Sequence, residues 1–148
     1  VAATHTNVAA IVSQRSYANS AATGQDSLFA GLVKDASNYA LVWYNHKLKR
    51  AGWDVRVGGV LTGNRVTQLD GQINYPGPNA RLACVLHRDE LTAYAIGNDG
   101  VWQYLFTADV GRHIRLDDPA VRATYRYGFG VRVDGGTLTV ERFAVRRR

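Results

Sequence analysis

Seven side chains in this sequence have the types and spacing to hold a ligand by stacking and hydrogen bonding: Trp43, Tyr44, His46, Asp54, Arg56, His87 and Arg126. Trp43 and Tyr44 are neighbours in an apolar run, Tyr39 to Asn45, whose alternate members point to opposite faces of a strand. Either Trp43 or Tyr44 therefore faces the outer layer. An aromatic ring exposed on a sheet takes the apolar side of a flat ligand out of water. Asp54 and Arg56 alternate with Trp53, Val55 and Val57, so the apolar set goes to the core and the charged pair faces outward. A carboxylate accepts hydrogen bonds from hydroxyls, and a guanidinium offers a planar fork that matches a carboxylate. His87 and Arg126 take outward positions on two further strands. His46, Lys47, Lys49 and Arg50 form a cationic turn after the aromatic strand, either a solvated turn or the rim of the same face.

The elements that must position these residues are strands. Helical periodicity is nearly absent, and alternating runs bounded by Gly, Asn, Asp and Pro recur about every ten residues. The expected strands are Val8 to Gln14, Ser27 to Val33, Tyr39 to Asn45, Trp53 to Val57, Arg65 to Ile73, Arg81 to His87, Leu91 to Ile96, Val101 to Thr107, Tyr125 to Val133 and Thr137 to Val145. One flat layer of ten strands cannot bury its faces, so the fold class is all-β, a two-sheet antiparallel β-sandwich in a single domain spanning residues 1–148. Only the stretch around Asp117-Asp118-Pro119 carries helix-start chemistry, and a short helical turn is expected there. Leu82, Cys84 and Leu86, with Tyr127, Phe129 and Val131, are assigned to the core. Trp102, on one face with Tyr104 and Phe106, is assigned to it as well. Gly128 and Gly130 alternate with Arg126 and Arg132 on the outward side, which suggests a curved sheet or room for something lying across it.

Composition removes several classes. A single cysteine, Cys84, excludes an internal disulfide and cysteine-based metal fingers, and its apolar neighbours mark it as a buried thiol. No run is long and apolar enough for a membrane helix, and no signal-peptide layout opens the chain. The absence of methionine and the start at Val1 are taken as signs of a mature or excised fragment. Fifteen arginines stand against three lysines in a net charge of +6. They are dispersed, and Arg146-Arg147-Arg148 reads as a solvated tail beyond the last strand. No groove-reading helix or zinc module accompanies them, so no nucleic-acid partner is expected.

The order of segments resembles the laminin-G-like, concanavalin A-like jelly-roll family. The resemblance rests on Phe29-Ala30-Gly31-Leu32-Val33 followed by Asp35 to Tyr39, on Arg81-Leu82 leading into Asp89 to Tyr94, and on the closing Tyr127 to Val131, Gly136 to Val140 and Phe143-Ala144-Val145. It covers residues 27–146 and implies a jelly roll of the carbohydrate-binding module type. It also implies a secreted, extracellular setting beside a glycan-degrading activity. The partner implied is a poly- or oligosaccharide, and the basic charge fits an acidic polysaccharide better than a neutral one. Sugar-cleaving members of such folds set two glutamates close together on one strand. Here Glu90 and Glu141 stand alone. Lyase members use a Gln-Ile-His strand; Gln72-Ile73-Asn74-Tyr75 echoes it with asparagine in the histidine's place, and asparagine is no general base. A non-catalytic module is therefore the leading expectation, ahead of a jelly-roll lyase or hydrolase and of a protein-interaction module. Calcium is common among such folds; Asp109, Asp117 and Asp118 are the densest oxygen donors, without the spacing of a dedicated loop, so a structural calcium is the one cofactor considered.

Overall fold

Alternation becomes two packed sheets. The structure, a computed structural model, describes residues 8–19, 27–45, 48–69, 81–97, 99–132 and 136–147. The described residues form β1 (Val8–Asn19), β2 (Ser27–Asp35), β3 (Asn38–Asn45), β4 (Arg50–Val57), β5 (Val60–Gln68), β6 (Arg81–His87), β7 (Glu90–Ile96), β8 (Trp102–Asp109), β9 (Arg126–Arg132) and β10 (Gly136–Arg147). A front sheet runs β5-β4-β3-β2-β9 and a back sheet β10-β1-β6-β7-β8. Every pairing is antiparallel. The β4–β5 hairpin turns on Gly58 and Gly59, at φ 59° and 81°, a conformation in which side chains are strained.

Between the sheets lie Leu28, Leu32, Val42, Val55, Leu82 and Leu86, all fully buried. After β8 the chain crosses from the back sheet to the front through a 3-10 turn (Val110–Arg112) and the short α1 (Pro119–Arg122). The crossover buries Val110, Ile114 and Leu116 in the core. Asp118 starts α1 as expected, its side chain accepting from the Ala120 N–H at 2.9 Å. No helix among the described residues is long and apolar enough to cross a membrane.

Cys84 is fully buried, and desolvation pushes its thiol up to about 12. Alkylation by iodoacetamide at neutral pH is therefore expected to be negligible in the folded protein and complete in denaturant. Labelling of the native chain at the rate of a free thiol contradicts this placement.

Four sequence expectations change. β4 begins at Arg50, three residues before its expected start, which puts Arg50 in register with Asp54 and Arg56. β5 covers 60–68, so the expected strand from Arg65 is displaced toward the β4 hairpin. β10 continues to Arg147, so Arg146 belongs to a strand and is no tail residue. Trp102 is not in the main core. A bulge opposite Ala93 and Tyr94 inserts Leu105, so Phe106 faces the core while Trp102 and Tyr104 face outward. Trp102 packs edge-on against Tyr94, at 5.4 Å between centroids, over a second apolar cluster on the outer face of the back sheet.

Candidate binding face

The outward face of the front sheet is built by register. Moving across its strands, Gly130, Phe29, Trp43, Gly52 and Val66 form one row, and Gly128, Gly31, Leu41, Asp54 and Asn64 the next. Ser27 pairs with Arg132 and Asn45 with Arg50 at one end of these rows. Four glycines on one face keep it low, and Gly52 has a specific duty. A Cβ there would stand 2.5 Å from Cζ2 of Trp43, so the indole can lie down only over a residue without a side chain.

Trp43, Asp54, Arg50 and Arg132 meet around a recess of about 160 Å³, with Phe29 and Val66 as apolar walls. The Trp43 side chain donates a hydrogen bond to the Asp54 carboxylate, which fixes the ring. Burial raises the Asp54 carboxyl above its ordinary 3.8; the Trp43 hydrogen bond, then the charges of Arg56 and Arg132, pull it back in part. Arg50 Nε is buried and has no hydrogen-bond partner among the described residues. A buried donor left unpaired costs about 1–3 kcal/mol, so this N–H marks a donor that the described residues leave without an acceptor. Asn45, itself buried, shapes the rim by accepting from the Leu48 N–H at 2.9 Å, next to Lys49 at φ 49°.

A carboxyl whose folded pKa is raised contributes most to stability while it is protonated, and that contribution is lost as pH rises through the raised value. The stability of Asp54→Asn relative to wild type is thus expected to improve as pH climbs from about 3 to about 7. A difference between the two that is flat across this range in paired thermal melts contradicts the raised carboxyl.

The sequence-derived residues divide. Trp43 and Asp54 line the recess. Tyr44, the alternative platform, is corrected: it is 2% exposed and packed in the core, because its partners Leu28 and Ala51 face inward. Arg56 shares the outward face but is engaged elsewhere. Its Nε donates to the Tyr39 hydroxyl at 3.1 Å, Nη1 donates to the Gly59 carbonyl at 2.7 Å, and the cation sits 5.9 Å from the Tyr39 ring centre. Arg126, opposite Val33, is exposed on this face but outside the recess. His87 ends β6 on the other sheet, so the structure does not bring it to this site. His46 and the 72–75 echo lie outside the described residues.

The seven sequence candidates omit Arg50, weighed only as part of a possible rim turn, Arg132, placed on the outward side, and Phe29. For Arg50 the signal was present, since residues 50, 52, 54 and 56 alternate; it was hidden by reading Arg50 as turn. No three His, Cys, Asp or Glu side chains among the described residues converge to hold a metal ion. Asp109 pairs with Arg112 at 3.2 Å, Asp117 with Arg115 at 3.5 Å, and Asp118 caps α1.

A wider depression of about 420 Å³ lies at the far end of the sandwich, between Val57 and the crossover residues Ile114 and Val121. None of its lining side chains has a buried polar atom left unpaired among the described residues, so the smaller recess is the stronger site.

The fold is a two-sheet antiparallel β-sandwich, and it is shared with solved structures to which the chain is similar. Among solved structures the chain is similar to sheep galectin-11 in complex with glycerol, at 12% identity, covering 98% of this chain and 92% of that one with a TM-score of 0.57. It is similar to CG-16, a homodimeric agglutinin from chicken liver, at 12% identity over 95% of this chain and 91% of that one, TM-score 0.58. The carbohydrate-binding module CBM66 from Bacillus subtilis aligns at 13% identity over 96% and 76% of the two chains, TM-score 0.56. No protein-family model and no curated protein sequence matches the chain.

Proposed function

We propose that the protein is a carbohydrate-binding module that takes an acidic oligo- or polysaccharide on the outward face of its front sheet. The observation that carries this reading is the Trp43–Asp54 couple flanked by Arg50 and Arg132 around one recess. The indole covers the apolar side of a sugar ring, Asp54 accepts from ring hydroxyls, and Arg50 with Arg132 supplies donors for a uronic carboxylate. Likeness to galectins and to a carbohydrate-binding module supports the ligand class. A setting outside the cell, attached to glycan-degrading activity, belongs to the same proposal, because that is where such polymers are met.

Binding without cleavage is favoured by the lining itself. Asp54 is the one carboxylate around the recess among the described residues, whereas glycoside hydrolysis needs two carboxyl groups about 5–10 Å apart. A glycan array combined with a product assay on uronic-acid polymers tests the proposal. The expected result is saturable binding to acidic glycans with neither new reducing ends nor unsaturated products. Turnover, or binding to no glycan at all, overturns it.

A further inference from the structure

With Arg146 inside β10, the outer face of the back sheet acquires a cluster unseen in the sequence. The registers set Arg142, Ala144 and Arg146 of β10 beside Ser13, Ile11 and Ala9 of β1, and these in turn beside Arg81, Ala83 and Val85 of β6. Phe143 and Val145 pack on the core, so the alternate residues Arg142, Ala144 and Arg146 face outward. Arg81, Arg142 and Arg146 enclose a hollow of about 60 Å³ floored by Ile11 and Ala144. Among the described residues no carboxylate lines it. Arg81 is held in place by donating from Nη2 to the Gly97 carbonyl at 2.7 Å. Neither the Arg142 nor the Arg146 side chain forms an ion pair or hydrogen bond among the described residues. Three cations gathered over an apolar floor repel one another more strongly than they would in open water, and an anion between them reverses the sign of that energy.

We propose that this hollow binds a single tetrahedral oxyanion, the sulfate monoester of a sulfated glycan. The site lies on the opposite sheet from the recess and does not depend on what the recess binds. Its size suits one oxyanion and not a phosphate chain. The aromatic rings nearest to it on the same face, Tyr94 and Trp102, meet at an interplanar angle of 63°, and Trp102 is half-buried. They offer no parallel platform for successive bases, which separates a sulfated sugar from single-stranded nucleic acid. Guanidinium forks match oxyanion geometry where ammonium groups act only as point charges.

The experiment is amide chemical-shift titration of the whole chain at fixed ionic strength. The probes are inorganic sulfate, a trisulfated disaccharide and a short oligothymidylate. Saturable shifts confined to Ile11, Arg81 and Ala144 are expected with sulfate, and tighter ones with the disaccharide. Arg142→Gln should weaken disaccharide binding about tenfold, the value of one charge-assisted hydrogen bond. Arg142→Lys, which keeps the charge and loses the fork, should recover only part of it. Trp43→Ala should leave these shifts unchanged. Shifts that rise linearly without saturation, or that saturate as tightly in Arg142→Gln as in wild type, reduce the cluster to unspecific charge and overturn the proposal. Oligothymidylate binding tighter than the disaccharide makes the surface a nucleic-acid one and overturns it equally.

Discussion

Trp43→Ala is expected to lower glycan affinity by at least about thirtyfold while shifting the melting temperature little. Loss of a central aromatic anchor costs roughly 2 kcal/mol or more of binding free energy. The indole lies on the outward face, half exposed, and its removal opens no cavity between the sheets. The neighbouring substitution separates binding from folding. Tyr44→Ala empties a site packed in the core and should cost about 3–5 kcal/mol of stability, with any binding loss following from unfolding. Calorimetric titration against the array-identified glycan, with thermal melts of both variants, measures the two effects. If Trp43→Ala binds like wild type, the recess is not the sugar site.

Leu82→Ala carries the largest expected effect on stability in the back sheet. Its side chain is fully buried between the sheets, so truncation removes transfer free energy and leaves a cavity, for a cost of about 3–5 kcal/mol. Phe129→Ala should cost less, about 1–2 kcal/mol. Phe129 points toward the core side yet is 47% exposed, since β9 is the edge strand of the front sheet; its ring lies against Phe143, at 4.9 Å between centroids. Urea unfolding of both variants checks the ranking, and equal losses would mean that the gap between β9 and β10 is closed.

The contrast between Leu82 and Phe129 shows what alternation conveys. Period two states which way a side chain points: Leu82, Tyr127 and Trp53 pack on the core as assigned, whereas Phe129 and Val131, assigned to it with them, point that way but are 47% and 45% exposed. Alternation does not state whether a strand is central or at an edge, and exposure depends on that. Sheet order comes from pairings such as β2 with β9, about a hundred residues apart in sequence. The same limit explains the site. Trp43 and Asp54 were legible because each sits in an unbroken alternating run. Arg132 could not be distinguished from Arg126, because which end of β9 borders the recess depends on its register with Ser27. His87 was misplaced for a related reason: an outward residue in a sandwich has two outsides to choose from. Trp102 failed where alternation itself fails, at a bulge that adds one residue and exchanges the faces.

The pairing of β1 bears on how the chain is made. β2 to β5 are joined by consecutive hairpins, so most of the front sheet assembles from residues 27–68 as they emerge from the ribosome. β1 emerges before all of them yet bonds only to β6 and β10. For most of synthesis the first strand thus has both edges open, and its last partner arrives at the end of the domain. A nascent chain that stalls before residue 136 presents a finished front sheet and a first strand paired with β6 but open along its other edge, the species on which a holdase would act.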